Sequence, residues 1–233
     1  MSSPYVSCIM PTCDRPNFVE LAIKHFLNQT FRDAELIIVD DGKTSVASVL
    51  PDHRRIQYYY TAPMETIGMK RNFACSLARG KIIIHWDDDD YYAHDWIRRQ
   101  IDCLETSHVD ICGLNKITFF SPLLRKFWNY ENKDTERPWL SGATMAYWKS
   151  FWEKHPFKNI NIGEDYDYIW NNGAKIFAHD YSEGFVATLH NANTTLKPFE
   201  NPRHKKHANS EMDVIFEGKT ENPEKSRYNN LNL

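Results

Sequence analysis

The run KIIIHWDDDD at residues 81–90 decides the fold. Its first half is a short, β-prone apolar stretch and its second half is four consecutive acids. An apolar run of this kind, entered from a glycine at 80, reads as a strand buried on both faces. Working outward, GMKRNFACSLAR at 68–79 has helical spacing and Gly80 is expected to cap it. Before that, Ile56 to Tyr60 reads as a strand, and Glu35 to Val39 as another that ends in Asp40-Asp41-Gly42. Val6 to Met10 reads as the first strand, stopped by Pro11. A helix follows from Asn17, with Phe18, Leu21, Ala22, Phe26 and Leu27 on its apolar side. Alternating strands and helices over the first 90 residues predict an α/β fold, a mostly parallel central sheet flanked by helices. Ligands bind such sheets beyond the carboxyl ends of the strands. The polar clusters at Thr12 to Arg15, Asp40-Asp41 and Asp87 to Asp90 all fall there and are expected to share one crevice.

Later segments are less regular. Trp96 to Leu104 reads as a helix, Ile111 to Phe120 as one or two strands, and Ser141 to Trp152 as a glycine-containing turn leading into a helix. Asp165 to Trp170 is expected to be helical and Gly184 to Leu189 extended. The expected organisation is one domain over 1–196, with a nucleotide-binding half at 1–90 and an acceptor-side half at 91–196. A C-terminal arm or poorly ordered tail is expected at 197–233, where polar and charged residues dominate.

Composition narrows the function classes. The 233 residues are 42% hydrophobic and 25% charged, near the averages for folded soluble proteins. A net charge of −3 supplies no long-range field toward nucleic acid or anionic lipid, so nucleic acid is not an expected partner. Cys8, Cys13, Cys75, Cys103 and Cys112 form no CxxC pair, and scattered reduced thiols are expected. Apolar runs such as Ile82 to Ile84 fall far short of the roughly 20 residues that span a bilayer. The opening MSSPYVSCIMPT has no charged leader region. A cytoplasmic chain, with peripheral membrane association left open, is the expectation.

The four acids carry the chemistry. Two carboxylates about 4 Å apart repel by roughly 4 kcal/mol at an effective dielectric near 20, and a bound cation relieves that repulsion. Hard oxygen ligands suit Mg²⁺ or Mn²⁺, which in turn hold phosphate oxygens. A solvated acidic turn is the ordinary reading of such a run, but here a buried strand delivers it to the ligand edge. Tyr92 stands where an EF-hand loop needs glycine. Asp40-Asp41 can accept from a base or ribose hydroxyl, or serve only as turn acids. Met69-Lys70-Arg71-Asn72 opens a helix and offers amides and a guanidinium to a diphosphate. Gly163-Glu164-Asp165 offers a general base at a helix start, with simple helix capping as the alternative. His190 is a candidate metal ligand or phosphate donor. No P-loop, GxGxxG, HExxH or GxSxG motif is present.

These residues resemble a known family. The stretch VSCIMPTCDRPNFVELAIKHFLNQTFRDAELIIVDDG resembles the N-terminal signature of family 2 glycosyltransferases of the GT-A fold. RNFACSLARGKIIIHWDDDDYY is similar to that family's passage into its DxD motif. IGEDYDYIW and SGATMAYWKS are shorter matches, to the motif holding the catalytic base and to the acceptor-side turn before it. The resemblance covers residues 5 to 195. It implies an inverting transferase that moves a sugar from a nucleotide-diphosphate donor, UDP-linked, to a glycan or other hydroxyl acceptor. By position it puts Pro11, Thr12, Asp14, Asp40, Asp41, Arg71 and Asp88 at the nucleotide. It puts Asp87, Asp88, Asp89 and His190 at a Mn²⁺ or Mg²⁺ ion, with Asp89 the firmest ligand. Asp165 falls on the base, with Glu164 beside it. Cys13 replaces an aromatic residue that often stacks on the base, and Lys43 replaces the usual serine after DDG. Phe119 to Trp128 and the arm after Leu196 are expected on the acceptor side. Rival readings are a sugar-phosphate nucleotidyltransferase, disfavoured by the glycine-free PTCDRP after the first strand, and a non-catalytic nucleotide- or carbohydrate-binding module.

Overall fold

The computed structural model describes residues 3–123, 125–131, 139–190 and 193; the arm expected at 197–233 lies outside them. Strand β1 (Val6–Thr12) is the middle of a parallel set. It pairs with β2 (Ala34–Asp40) on one side and β4 (Ile82–His85) on the other, and β3 (Ile56–Tyr60) flanks β2. Register places Thr12 beside Asp40, and Ile9 beside His85. The polar ends of these strands are therefore level with one another at one edge of the sheet.

Alternation along the strands explains why these runs are apolar on both faces, apart from Ser7 and Glu35. Cys8, Met10, Leu36, Ile38, Ile82 and Ile84 face one core, while Ile9, Ile37, Val39 and Ile83 face the other. Helix α1 (Pro16–Leu27) covers the first face with Val19, Ala22, Ile23 and Phe26, spaced for one side of a helix, and Pro16 presets its first turn. Helix α2 (Ile67–Leu77) covers the second face with Ala74 and Cys75. Its N-terminus is capped by Thr66, whose hydroxyl accepts from Met69 N at 3.1 Å.

Gly80 is not the cap expected from the sequence. Helix α2 ends at Leu77 and Ala78 is extended. A Cβ on Gly80 would lie 2.6 Å from the backbone of Val6 and of Ser7, so the residue is glycine to let the chain pass close to β1. Its amide donates to Ser7 Oγ at 2.9 Å, and Ser7 donates in turn to the buried Glu35.

The remaining strands extend and flank this sheet. Helix α3 (Trp96–Ser107) leads to β6 (Ile111–Leu114) and, after a break at Asn115, β7 (Lys116–Ser121), resolving the expected one or two strands into two. Strand β8 (Lys126–Glu131) forms a hairpin with β7. Ser141 to Trp152 is more than a turn and helix. A 3₁₀ turn at Gly142–Thr144 leads into β9 (Ala146–Trp148), antiparallel between β4 and β6, and then into the four-residue α4 (Lys149–Trp152). Helix α5 (Glu164–Trp170) and strands β10 (Ile176–His179) and β11 (Phe185–Thr188) complete the chain. The large sheet runs β10-β6-β9-β4-β1-β2-β3. A second sheet of four runs β5-β11-β7-β8, where β5 is Tyr91–Tyr92. All five cysteines are unpaired. No helix among the described residues is long and apolar enough to cross a membrane.

Candidate active site

The acids after β4 divide by partner. Asp90 is buried and accepts from Thr188 N at 2.9 Å, which ties the second sheet to the first. Asp88 is also buried. Its Oδ2 accepts from the Thr12 hydroxyl at 2.6 Å and its Oδ1 from Arg15 Nη1 at 3.0 Å. The same Arg15 nitrogen lies 3.1 Å from Asp89 Oδ2. His190 Nε2 approaches that Asp89 oxygen to 2.9 Å, and Asn193 Nδ2 donates to it at 3.3 Å. The His190 ring is held by stacking on Phe18 of α1, with centroids 4.4 Å apart. Burial, and the nearby charge of Asp89, raise the Asp88 carboxyl to a pKa of about 6, against the pull of Arg15 and Thr12.

Two carboxylates and an imidazole nitrogen make a donor set that suits Mn²⁺ better than a soft metal. Among the described residues, however, no three such groups stand together at metal-binding spacing. Arg15 bridges the two carboxylates. Asp87 stands slightly apart: its amide donates to the Tyr92 hydroxyl at 2.7 Å, and its carboxylate is 4.0 Å from Arg71 Nη2.

Arg71 is buried and joins the acidic run to α5. Its Nε donates to Glu164 Oε1 at 3.3 Å, and its Nη1 is 2.9 Å from His85 Nδ1. His85 is fully buried, and that burial, with the Arg71 charge beside it, holds the imidazole neutral. Burial raises the Glu164 pKa, while Arg71 pulls it down and Asp165 pushes it up. Asp165 is half-buried. It packs so closely on Gly142 that a Cβ there would lie 1.9 Å from Asp165 Oδ2.

Pro11, Arg71, Asp87, Asp88, Asp89, Glu164 and Asp165 all line one cavity of about 490 Å³. Thr12 reaches it through Asp88, and His190 through Asp89. Asp14, Asp40 and Asp41, expected at the nucleotide, are not among the residues that line this cavity; Asp41 is tied toward it by Lys70, whose Nζ donates to Thr12 O at 3.2 Å. Asp41 is buried in an ion pair with Lys70 and accepts from Met64 N at 3.0 Å. Asp40 is fully buried. Its oxygens accept from Gly42 N at 2.9 Å, Val46 N at 3.0 Å and the Tyr58 hydroxyl at 2.8 Å, so it shapes the turn that presents Asp41. Asp14 adopts a left-handed φ of 55° and accepts from Thr44 N at 3.0 Å. Of the stretch expected on the acceptor side, Phe119 lines the cavity, together with Tyr130, Trp139, Tyr166 and Trp170. Sequence reading assigned no role to Asn193, took Lys70 only as part of a basic stretch at a helix start and Gly142 only as part of an acceptor-side turn, and treated Arg15 only as the end of a polar cluster.

Comparisons with known proteins identify the family and the fold. Residues 7–168 match the family model described as Glycosyl transferase family 2. The GalNAc(5)-diNAcBac-PP-undecaprenol beta-1,3-glucosyltransferase of Campylobacter jejuni is 35% identical over 191 residues, covering 77% of this chain and 60% of that protein. An uncharacterized glycosyltransferase of Haemophilus influenzae is 27% identical over 114 residues, 47% of this chain and 46% of the relative. The chain thus spans less than two thirds of the length of these relatives. Among solved structures, S. aureus TarS in complex with UDP-GlcNAc superposes with a TM-score of 0.66 at 16% identity, over 83% of this chain and 62% of TarS. The mannosyltransferase PcManGT from Pyrobaculum calidifontis, in complex with GDP-Man and Mn²⁺, gives 0.62 at 16% identity, over 81% and 57%. At such identity the likeness is one of fold, and that fold is GT-A. A family match that runs from β1 into α5, over most of the chain, makes this chain a member of glycosyl transferase family 2.

Proposed function

We propose that this chain is an inverting glycosyltransferase that moves a sugar from a nucleoside-diphosphate donor, UDP-linked, to an acceptor hydroxyl. The observation that carries the reading is the sharing of one cavity by the Asp88–Asp89 pair and Asp165. A volume of about 490 Å³ lies in the range of small-molecule sites. Asp165 accepts the proton of the acceptor hydroxyl as its oxygen attacks the anomeric carbon, and the bond to the diphosphate breaks on the opposite face. Glu164, paired with Arg71, fixes the start of α5 and so the aim of Asp165. Asp41, Thr12 and Asp14 form the nucleotide side, with Asp40 supporting Asp41. Asp87, Asp88, Asp89 and His190 are the residues to hold Mn²⁺ or Mg²⁺. Such an ion supplies charge neutralisation to the departing diphosphate.

The first half of the domain, 1–90, is assigned to the donor and 91–196 to the acceptor. The aromatic wall of Phe119, Tyr130, Trp139 and Trp170 offers ring faces to a glycan. The Campylobacter relative is named for an acceptor carried on undecaprenol diphosphate. A lipid-linked glycan reached by peripheral contact with a membrane is the corresponding acceptor class here. The exposed Ile162 and Tyr166 at the cavity are suited to that contact. The family match leaves the nucleotidyltransferase reading without support. Asp165→Asn tests the base. It is expected to lower kcat by about 10² to 10⁴ while UDP affinity persists; full activity in this variant contradicts the assignment.

A further inference from the structure

Arg15 holds an unusual place in this site. It ends the turn after β1 and forms the N-cap of α1. One of its nitrogens, Nη1, serves both Asp88 Oδ1 at 3.0 Å and Asp89 Oδ2 at 3.1 Å. Its side chain is 18% exposed and lines the cavity beside the two acids. Among the described residues these acids also meet the Thr12 hydroxyl, the His190 imidazole and the Asn193 amide. The guanidinium is thus a protein-borne cation seated between the two carboxylates best placed to hold a divalent ion, and it carries half that ion's charge. Guanidinium also matches phosphate oxygens in shape and charge.

We propose that Arg15 competes with a divalent ion for the Asp88 and Asp89 oxygens and, once released from them, binds the diphosphate of the donor. The inference rests on the nucleotide-sugar reading above. It makes charge at this site an exchange: the acids trade a monovalent partner for a divalent one, and the freed cation meets the anion that enters. A resident competitor reduces apparent ion affinity by the fraction of the site it occupies. Removing the guanidinium must therefore move two affinities in opposite directions. An Arg15 that merely braces the loop would weaken both when removed.

The test uses the full chain and two readouts other than turnover. Free Mn²⁺ is titrated by electron paramagnetic resonance without nucleotide, and UDP is titrated calorimetrically at saturating Mn²⁺. Arg15→Met keeps the length of the side chain and loses the charge. Its Mn²⁺ dissociation constant is expected to fall about fivefold, and its UDP dissociation constant to rise about tenfold. Arg15→Gln carries the same expectation and serves if the first variant does not fold. Arg15→Lys keeps the charge and is expected to hold Mn²⁺ affinity within about twofold of the native chain. Neutral variants whose Mn²⁺ affinity is unchanged or weaker, or whose UDP affinity is unchanged, overturn the proposal. If the native chain still binds both ligands in that case, the nucleotide reading stands alone. A native chain that binds neither Mn²⁺ nor UDP removes both.

Discussion

Gly142 leaves the space that the Asp165 carboxylate fills: a Cβ on Gly142 would lie 1.9 Å from Oδ2 and 2.6 Å from the carboxyl carbon of Asp165. The 3₁₀ turn before β9 and the first turn of α5 are thereby fitted to each other at the point where the proposed base stands. Gly142→Ala must push the carboxylate aside. A displacement of about 1 Å at a reacting group costs on the order of 10²-fold in rate. Steady-state kinetics are expected to show kcat lowered by about that factor in Gly142→Ala. UDP affinity stays near native, because the donor side of the cavity is untouched. A native kcat in this variant would show that Asp165 has room the structure does not give it.

Gly80 makes a purely structural prediction. A Cβ on Gly80 would lie 2.6 Å from the backbone of Val6 and of Ser7, and backbone at the centre of a sheet cannot yield as a side-chain end can. Gly80→Ala is expected to destabilise the fold by about 1–3 kcal/mol, the range for overpacking. Urea denaturation monitored by circular dichroism reads the change.

His179 sets a pH dependence of stability remote from the cavity. Burial lowers its pKa to about 4, and its Nε2 lies 3.2 Å from the amide nitrogen of the buried Gln100. A histidine whose folded pKa lies below its unfolded value stabilises the protein fully above about pH 6.5. That stability is lost as pH falls toward 4. From pH 7.5 to 5 the loss from this one residue is about 2 kcal/mol. His179→Gln is expected to flatten the fall in denaturation midpoint over that window; an unchanged slope assigns the effect to other groups.

Sequence was most informative where chemistry and periodicity agree. β1, β2 and β4 are buried on both faces, so their runs are apolar apart from the mutually bonded Ser7 and Glu35 near the start, and the polar residues at their carboxyl ends stand out. The imidazole by itself makes His190 a candidate ligand, but its meeting with Asp89 could be expected only through the family resemblance, since the two lie far apart in the chain. β9 escaped notice because three residues cannot display a period of two. Gly80 was misread because a glycine after a helix has two uses, cap or close approach, and only the neighbouring strand distinguishes them. Arg15 and Gly142 could not be assigned roles because what matters in each is contact with a distant segment. Nothing in the residues beside them records that contact.

The most direct test of the account is nucleotide-sugar turnover by the native chain, with UDP-sugars supplied in turn and UDP release followed with Mn²⁺ or with EDTA. The account predicts slow hydrolysis of at least one UDP-sugar with Mn²⁺, and its loss on chelation and in Asp89→Asn. Turnover that persists in EDTA and in Asp89→Asn, or a complete lack of binding and cleavage across the panel, would contradict it.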